Sequence, residues 1–333
     1  MIRFDGKNFL KLLPAVLISA LCLSGCGSSF PSPYSTSLIS QEVTRGSALE
    51  DLKADSFAKD LCVFSGDEPV PGLELSGSTE CILLVDLNNK ERLASTNAFK
   101  SIHPASTTKL LTALVAMENC SMDEIITCGD EVTGFAYDET TLPVKVGDTM
   151  TMDQALHFML MLSANDVANA IAVHCAGSIS GFCDMMNAKA IEIGATNTHF
   201  SNPHGLDSDD HMTTAYDLYL ILNECFKYEK FSEIVSSSEY STVYFDSQGK
   251  TIERTVRSTD LFIRTDKDVS PPPGITVIGG KTGTTGGAGH CLIVLCKDSS
   301  GNPYISCVMG TPDTDTLYSH QQSVMSQILT ENR

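Results

Sequence analysis

Pro104-Ala105-Ser106-Thr107-Thr108-Lys109-Leu110-Leu111-Thr112-Ala113-Leu114-Val115-Ala116-Met117 passes from a proline through a hydroxyl-rich turn into an apolar run. Leu110, Leu111, Leu114, Val115 and Met117 recur at helical spacing, which predicts a buried helix beginning at once after Ser106. Residues i and i+3 share a helix face, so Lys109 falls one turn above the Ser106 hydroxyl. Outward from this helix the period changes. Towards the N-terminus, residues 81–85 (Cys-Ile-Leu-Leu-Val) read as a buried strand that turns near Asn88-Asn89 and returns over 92–97. Towards the C-terminus, apolar stretches at 152–162, 167–175, 182–193 and 213–225 predict further helices. Residues 242–245, 251–256, 275–281, 290–295 and 304–309 read as strands, and a helix over 317–329 closes the chain. Short links favour antiparallel pairing. The expected fold is α/β (α+β): one antiparallel sheet built from both chain ends, covered by helices, around a helical middle region.

Three short motifs carry chemistry. In Ser106-x-x-Lys109 the helix N-terminus adds a partial positive field and free N–H groups around the serine. A serine attacks only with a base beside it. Lysine serves as that base only when neutral, which requires a dry site or a second cation. Read alone, the motif is also an ordinary Ser N-cap with a surface lysine. Ser163-Ala164-Asn165 lies between two apolar helices, where a hydroxyl and an amide converge on one cleft or Asn165 merely caps the next helix. Lys281-Thr282-Gly283 ends an apolar strand and continues as Thr284-Thr285-Gly286-Gly287-Ala288-Gly289. A strand glycine marks close approach by a ligand or another backbone, and a cation with hydroxyls suits a carboxylate; a glycine-rich hairpin with a solvated lysine is the plainer reading.

The order S-x-x-K, S-x-N, K-T-G resembles the signature set of penicillin-binding proteins and serine β-lactamases. With Asn202-Pro203-His204-Gly205-Leu206 and Thr213-Thr214-Ala215-Tyr216-Asp217, the chain resembles the low-molecular-mass, serine-type D-alanyl-D-alanine carboxypeptidases from about residue 75 to 329. That resemblance implies Ser106 as the acylated nucleophile and Lys109 as its base. It implies Ser163 as proton relay to the leaving amine, and Asn165 as a substrate ligand that also orients Lys109. Lys281, Thr282 and Thr284 would take the terminal carboxylate, and the backbone N–H groups of Ser106 and Thr284 would form the oxyanion hole. The substrate would be peptidoglycan stem peptides, with β-lactams as covalent inhibitors; no cofactor, no metal and a monomer are expected. Ala164 stands where such enzymes often carry Gly, and the C-terminal β-domain many of them use to reach the membrane is not expected here. A DD-endopeptidase and a lipid-anchored sensor with little turnover share the same motifs. A β-lactamase is disfavoured because no E-x-x-L-N-like phrase lies between Ser163 and Lys281.

The N-terminus predicts export. Arg3, Lys7 and Lys11 precede an apolar run over 12–23, shorter than the roughly 20 residues a membrane span needs. Leu23-Ser24-Gly25-Cys26 resembles a bacterial lipobox, so residues 1–25 are expected to be a lipoprotein signal and Cys26 the lipidated residue. Two acyl chains there would anchor stably to the outer face of the cytoplasmic membrane. Residues 26–60, rich in Ser, Pro, Thr and Gly over their first half, are expected to form a tether, and 61–333 the catalytic domain. The 333 residues carry 41 acidic against 22 basic side chains, a net charge of −19 with no basic footprint, which excludes nucleic acid as a partner. Of twelve cysteines, Cys22 leaves with the signal and Cys26 carries lipid; the remaining ten permit disulfides without specifying them, and a buried thiol is the simpler reading of most. His199, His204 and His211 lack metal-site spacing, Asp207, Asp209 and Asp210 lack the Gly and Glu of a calcium loop, and His290 is expected to pack locally on its strand.

Overall fold

Residues 81–86 are buried throughout, and alternate side chains feed two different cores. Cys81, Leu83 and Val85 join the larger core under the middle helices, while Ile82 and Leu84 join a smaller one under the C-terminal helices. A strand that is buried at every position therefore belongs to a sheet covered on both faces. The computed structural model describes Ala58 and residues 60–331. The predicted signal, Cys26 and nearly all of the tether lie outside them.

The main sheet has five strands: β1 (Cys81–Asp86), β2 (Glu91–Thr96), β7 (Thr276–Thr285), β8 (Gly289–Lys297) and β9 (Pro303–Thr311). Their order is β2-β1-β9-β8-β7, antiparallel at each junction, so both chain ends do build one sheet. Asp86 Oδ1 accepts from the N–H groups of Asn88 and Asn89 and shapes the predicted β1–β2 turn. On one face lie α1 (Lys109–Asn119), α3 (Asn165–Ala176), α4 (Ile179–Glu192) and α5 (Ala215–Cys225); on the other lie α7 (Thr314–Met325) and α8 (Gln327–Glu331). The first eight residues of α1 are buried, which makes it the central helix of the larger core.

The hairpin formed by β5 (Glu239–Phe245) and β6 (Thr251–Arg257) departs from the expected single sheet. It pairs with two three-residue strands that carry no sequence signal, β3 (Ile125–Thr127) and β4 (Thr149–Thr151), in a second sheet ordered β3-β4-β5-β6. Most of the hairpin's side chains are exposed or half-buried, including Val243 and Phe245. Such a surface does not suit a sheet buried on both faces. Two shorter helices complete the middle region, α2 (Met152–His157) and α6 (Glu229–Val235).

Candidate active site

Ser106 sits in a 3₁₀ turn, Ala105–Thr108, that runs directly into α1. Ala105 is held at φ 49°, a left-handed conformation that costs a non-glycine residue roughly 1–3 kcal/mol. Neighbouring groups hold it there. Thr108 Oγ1 donates to the Ala105 carbonyl (2.8 Å), and Gly205 approaches that oxygen so closely that an added Cβ would lie 1.9 Å away. Buried His211 fixes Thr108 in turn. Its Nδ1 accepts from the Ser201 N–H (3.0 Å), which leaves Nε2–H to donate to Thr108 Oγ1 (2.8 Å). Burial depresses the His211 pKa to about 4, keeping the ring neutral in this role.

Lys109 is fully buried, and its Nζ lies 2.9 Å from Ser106 Oγ, 2.8 Å from Asn165 Oδ1 and 2.5 Å from the His204 carbonyl. Burial holds its pKa well below the lysine range; the nearby Lys281 charge lowers it further, against a smaller opposing pull from Asp166. The dry site and the second cation, the two conditions that favour a lysine base, are both present. A neutral amine has two N–H bonds and one lone pair. In that neutral form, with N–H bonds to Asn165 and His204, the lone pair would face the Ser106 hydroxyl.

The His204 carbonyl is a site group that residue types alone do not reveal. Its sequence signal is the turn phrase itself: Asn202 Oδ1 accepts from the N–H groups of Gly205 (2.7 Å) and His204 (3.2 Å), and Asn202 Nδ2 donates to the Leu206 carbonyl (3.0 Å). The same turn offers the Pro203 carbonyl to Thr112 Oγ1 (2.6 Å), locking it to α1.

On the opposite wall, a π-turn over Phe158–Leu162 ends at Ser163, which takes φ 70° and ψ 30°. Such turns often mark functional positions. Ser163 Oγ is buried and has no hydrogen-bond partner among the described residues. Asn165 begins α3, and the Asp166 carboxylate accepts from the N–H groups of Leu142 and Val144, pinning the loop that carries Thr140 against the site.

The K-T-G segment lies inside β7, which runs on to Thr285 through pairing with β8, so it does not end the strand as the apolar run suggests. β7 is an edge strand, and it packs on the serine turn. A Cβ at Gly283 would lie 2.9 Å from the Ser106 backbone nitrogen. Lys281 is buried and donates to the carbonyl of Thr282 (2.9 Å). Burial depresses its pKa to about 7, with Asp260 pulling the other way. Burial raises the Asp260 carboxyl to about 6. Thr282 Oγ1 donates to Thr259 Oγ1 (2.6 Å).

Two cavities meet at Ser106. The first, of about 450 Å³, is walled by hydroxyls from Ser163, Thr259, Thr282, Thr284 and Thr314 and by His290. The second, of about 300 Å³, is lined by Glu139, Thr140, Asn165, Asp207 and Thr284. Ser106, Ser163, Asn165, Thr282 and Thr284 line these cavities, while Lys109 and Lys281 are buried beside them, Lys109 bonded to Ser106 and Lys281 near enough for its charge to press on Lys109. His290 does face the cleft, with Nδ1 3.3 Å from Thr284 Oγ1. Thr259, Thr314 and Tyr318 belong to no short motif; tertiary packing alone delivers them.

The Peptidase_S11 family, described as D-alanyl-D-alanine carboxypeptidase, matches residues 72–313. D-alanyl-D-alanine carboxypeptidase DacB2 of Mycobacterium tuberculosis is 31% identical over 226 residues, covering 67% of this chain and 71% of that one. DacF of Bacillus subtilis is 28% identical over 229 residues, covering 67% of this chain but 55% of its own length. This chain therefore spans about half to three-quarters of the length of these relatives. The crystal structure of the Streptomyces K15 DD-transpeptidase shares the fold, with a TM-score of 0.70 at 22% identity over 78% of this chain and 98% of that one. Built around a dry lysine bonded to a serine and matched over most of its folded length, this chain belongs to the D-alanyl-D-alanine carboxypeptidase family of serine peptidases.

Proposed function

We propose that the protein removes the terminal D-alanine from peptidoglycan stem pentapeptides through an acyl-enzyme at Ser106, and that β-lactams acylate the same oxygen. The observation that carries this reading is the buried Lys109 amine, 2.9 Å from Ser106 Oγ and held also by Asn165 Oδ1 and the His204 carbonyl. As Ser106 attacks the carbonyl of the penultimate D-alanine, Lys109 takes the hydroxyl proton. The developing oxyanion lies between the backbone N–H groups of Ser106 and Thr284. A positioned base contributes roughly 10²–10⁴ in rate and one oxyanion donor roughly 10²–10³. Ser163, whose buried oxygen has no partner among the described residues, hands a proton to the leaving D-alanine amine. The substrate carboxylate takes the hydroxyls of Thr282 and Thr284 in the larger cavity and is drawn by the buried Lys281 charge. Water then hydrolyses the ester.

Export and anchorage through a lipid on Cys26 complete the proposal, since the stem peptides lie outside the cytoplasmic membrane. D-alanine release from a peptide ending in D-Ala-D-Ala, measured beside Ser106→Ala, tests the reaction. Release that vanishes in the variant supports it. Covalent penicillin labelling without release would replace the carboxypeptidase by an endopeptidase or a sensor.

A further inference from the structure

Among the ten described cysteines, eight are buried and two, Cys120 and Cys175, are half-buried. Those two touch: Cys120 Sγ lies 2.6 Å from Cys175 Sγ, across 55 positions of chain. Several of the buried thiols, by contrast, are engaged with backbone carbonyls, as Cys225 is with Leu110, Cys291 with Ala288 and Cys81 with Thr79.

The position of the pair gives it meaning. Cys120 is the C-terminal cap of α1, and Cys175 lies in the last turn of α3. α1 begins with Lys109 and α3 with Asn165, and these residues are bonded at the other end of the helix pair (2.8 Å). Each helix is roughly 17 Å long at 1.5 Å per residue, so the cysteines sit well away from the cleft.

We propose that Cys120 and Cys175 form a disulfide that ties the far ends of the two helices whose near ends hold Lys109 and Asn165. The oxidant is a small-molecule or protein disulfide of the extracytoplasmic space. The Cys120 thiolate attacks one sulfur of that oxidant and expels a thiolate, giving a mixed disulfide. The Cys175 thiolate then attacks the Cys120 sulfur and expels the second thiolate. The two protons lost by the cysteines pass to the two leaving thiolates, and the oxidant takes up the two electrons. Burial raises the Cys120 thiol above its ordinary value, but a hydrogen bond from Cys175 opposes that rise, so Cys120 is the first to ionise.

A competing ligand for this corner is a metal ion, because Glu124, His174 and Cys120 place donor atoms within 4.8 Å of one another. Two sulfurs bound 2.3 Å from a tetrahedral zinc stand roughly 3.8 Å apart. The sulfur contact here is much shorter, and the Glu124 carboxylate is already engaged by His174 Nε2 (2.9 Å).

The test uses the full purified chain, incubated with oxidised glutathione, denatured, alkylated, digested and read by mass spectrometry. The expected result is one linked peptide pair, Cys120 to Cys175, with the eight buried cysteines recovered alkylated. A reductant should then lower the melting temperature by roughly 10 °C, as expected for opening a loop of this length, and Cys120→Ser should melt at the reduced protein's temperature with no response to reductant. Recovery of both cysteines in alkylated form after oxidation would overturn the proposal. So would stoichiometric zinc that a chelator removes together with the thermal stability.

Discussion

The two buried lysines of the site differ in what surrounds them, and the difference separates a base from a charge. Lys109, on the helical wall, meets two neutral acceptors and the serine, with no carboxylate among its hydrogen-bond partners in the described residues. Lys281, on the strand wall, donates to the carbonyl of its own neighbour; each lysine feels one carboxylate, Asp166 or Asp260, but Lys109 also feels the Lys281 cation. Both are dry, yet one is arranged to lose its proton and the other to keep it near neutral pH. The same residue type does different work because burial penalises charge at both, and at Lys109 a second cation adds to that penalty.

The comparison can be broken most directly at Lys109. Lys109→Ala should slow acylation by a β-lactam roughly 10²–10⁴-fold. Lys109→Arg should not rescue it, because a guanidinium keeps its proton; a rescue measured in the second-order acylation rate would show that charge, not basicity, is required. A smaller loss is expected on the strand side. Thr282→Val should raise KM about tenfold or more for peptides with a free terminal carboxylate, and leave amidated analogues unaffected.

The pH profile sharpens the contrast further. Lys109 works unprotonated, so kcat/KM should fall as pH drops through its depressed pKa. Lys281 works protonated, so kcat/KM should also fall as pH rises through about 7. Asp260→Asn removes the carboxylate that holds the Lys281 pKa up, and should move the alkaline limb to lower pH while leaving the acid limb in place. An alkaline limb that stays put would separate Lys281 from substrate binding. The mildest effect belongs to His290→Gln, expected to raise KM a few-fold, because the ring contacts Thr284 Oγ1 at the cleft wall.

Much of the site is legible in the residue order alone. The i, i+3 spacing of Ser106 and Lys109 places them together on any helix that starts there, and they are bonded at 2.9 Å. β1 and β8 hold unbroken apolar runs because both of their faces are covered. What escapes such a reading does so for physical reasons as well. β3 and β4 are three residues long, too short for a period to show, and their pairing with the β5–β6 hairpin creates a second sheet. The His204 carbonyl is backbone, which no residue-type motif records. Thr282 lines the larger cavity, whereas Lys281, next to it on the strand, is buried, a difference in exposure that no short motif records. Its strand context has His290 packing locally; the register of β8 against β7, with His290 opposite Thr284, instead puts it at the cleft.

By itself, then, the sequence determined the chemistry of the site: which hydroxyl and amine share a helix face, which amide opens the next helix, and which strand carries the hydroxyls. These follow from local geometry, which a dozen residues can specify. Only the tertiary structure decided the protonation that makes the chemistry possible, since the dryness around Lys109 and the carboxylate near Lys281 come from segments far apart in the chain. The contact between Cys120 and Cys175 belongs to the same class. Electrostatics and sulfur contacts depend on distance in space, and that distance is set by how the two helices and the edge strand pack, not by the spacing of residues along the chain.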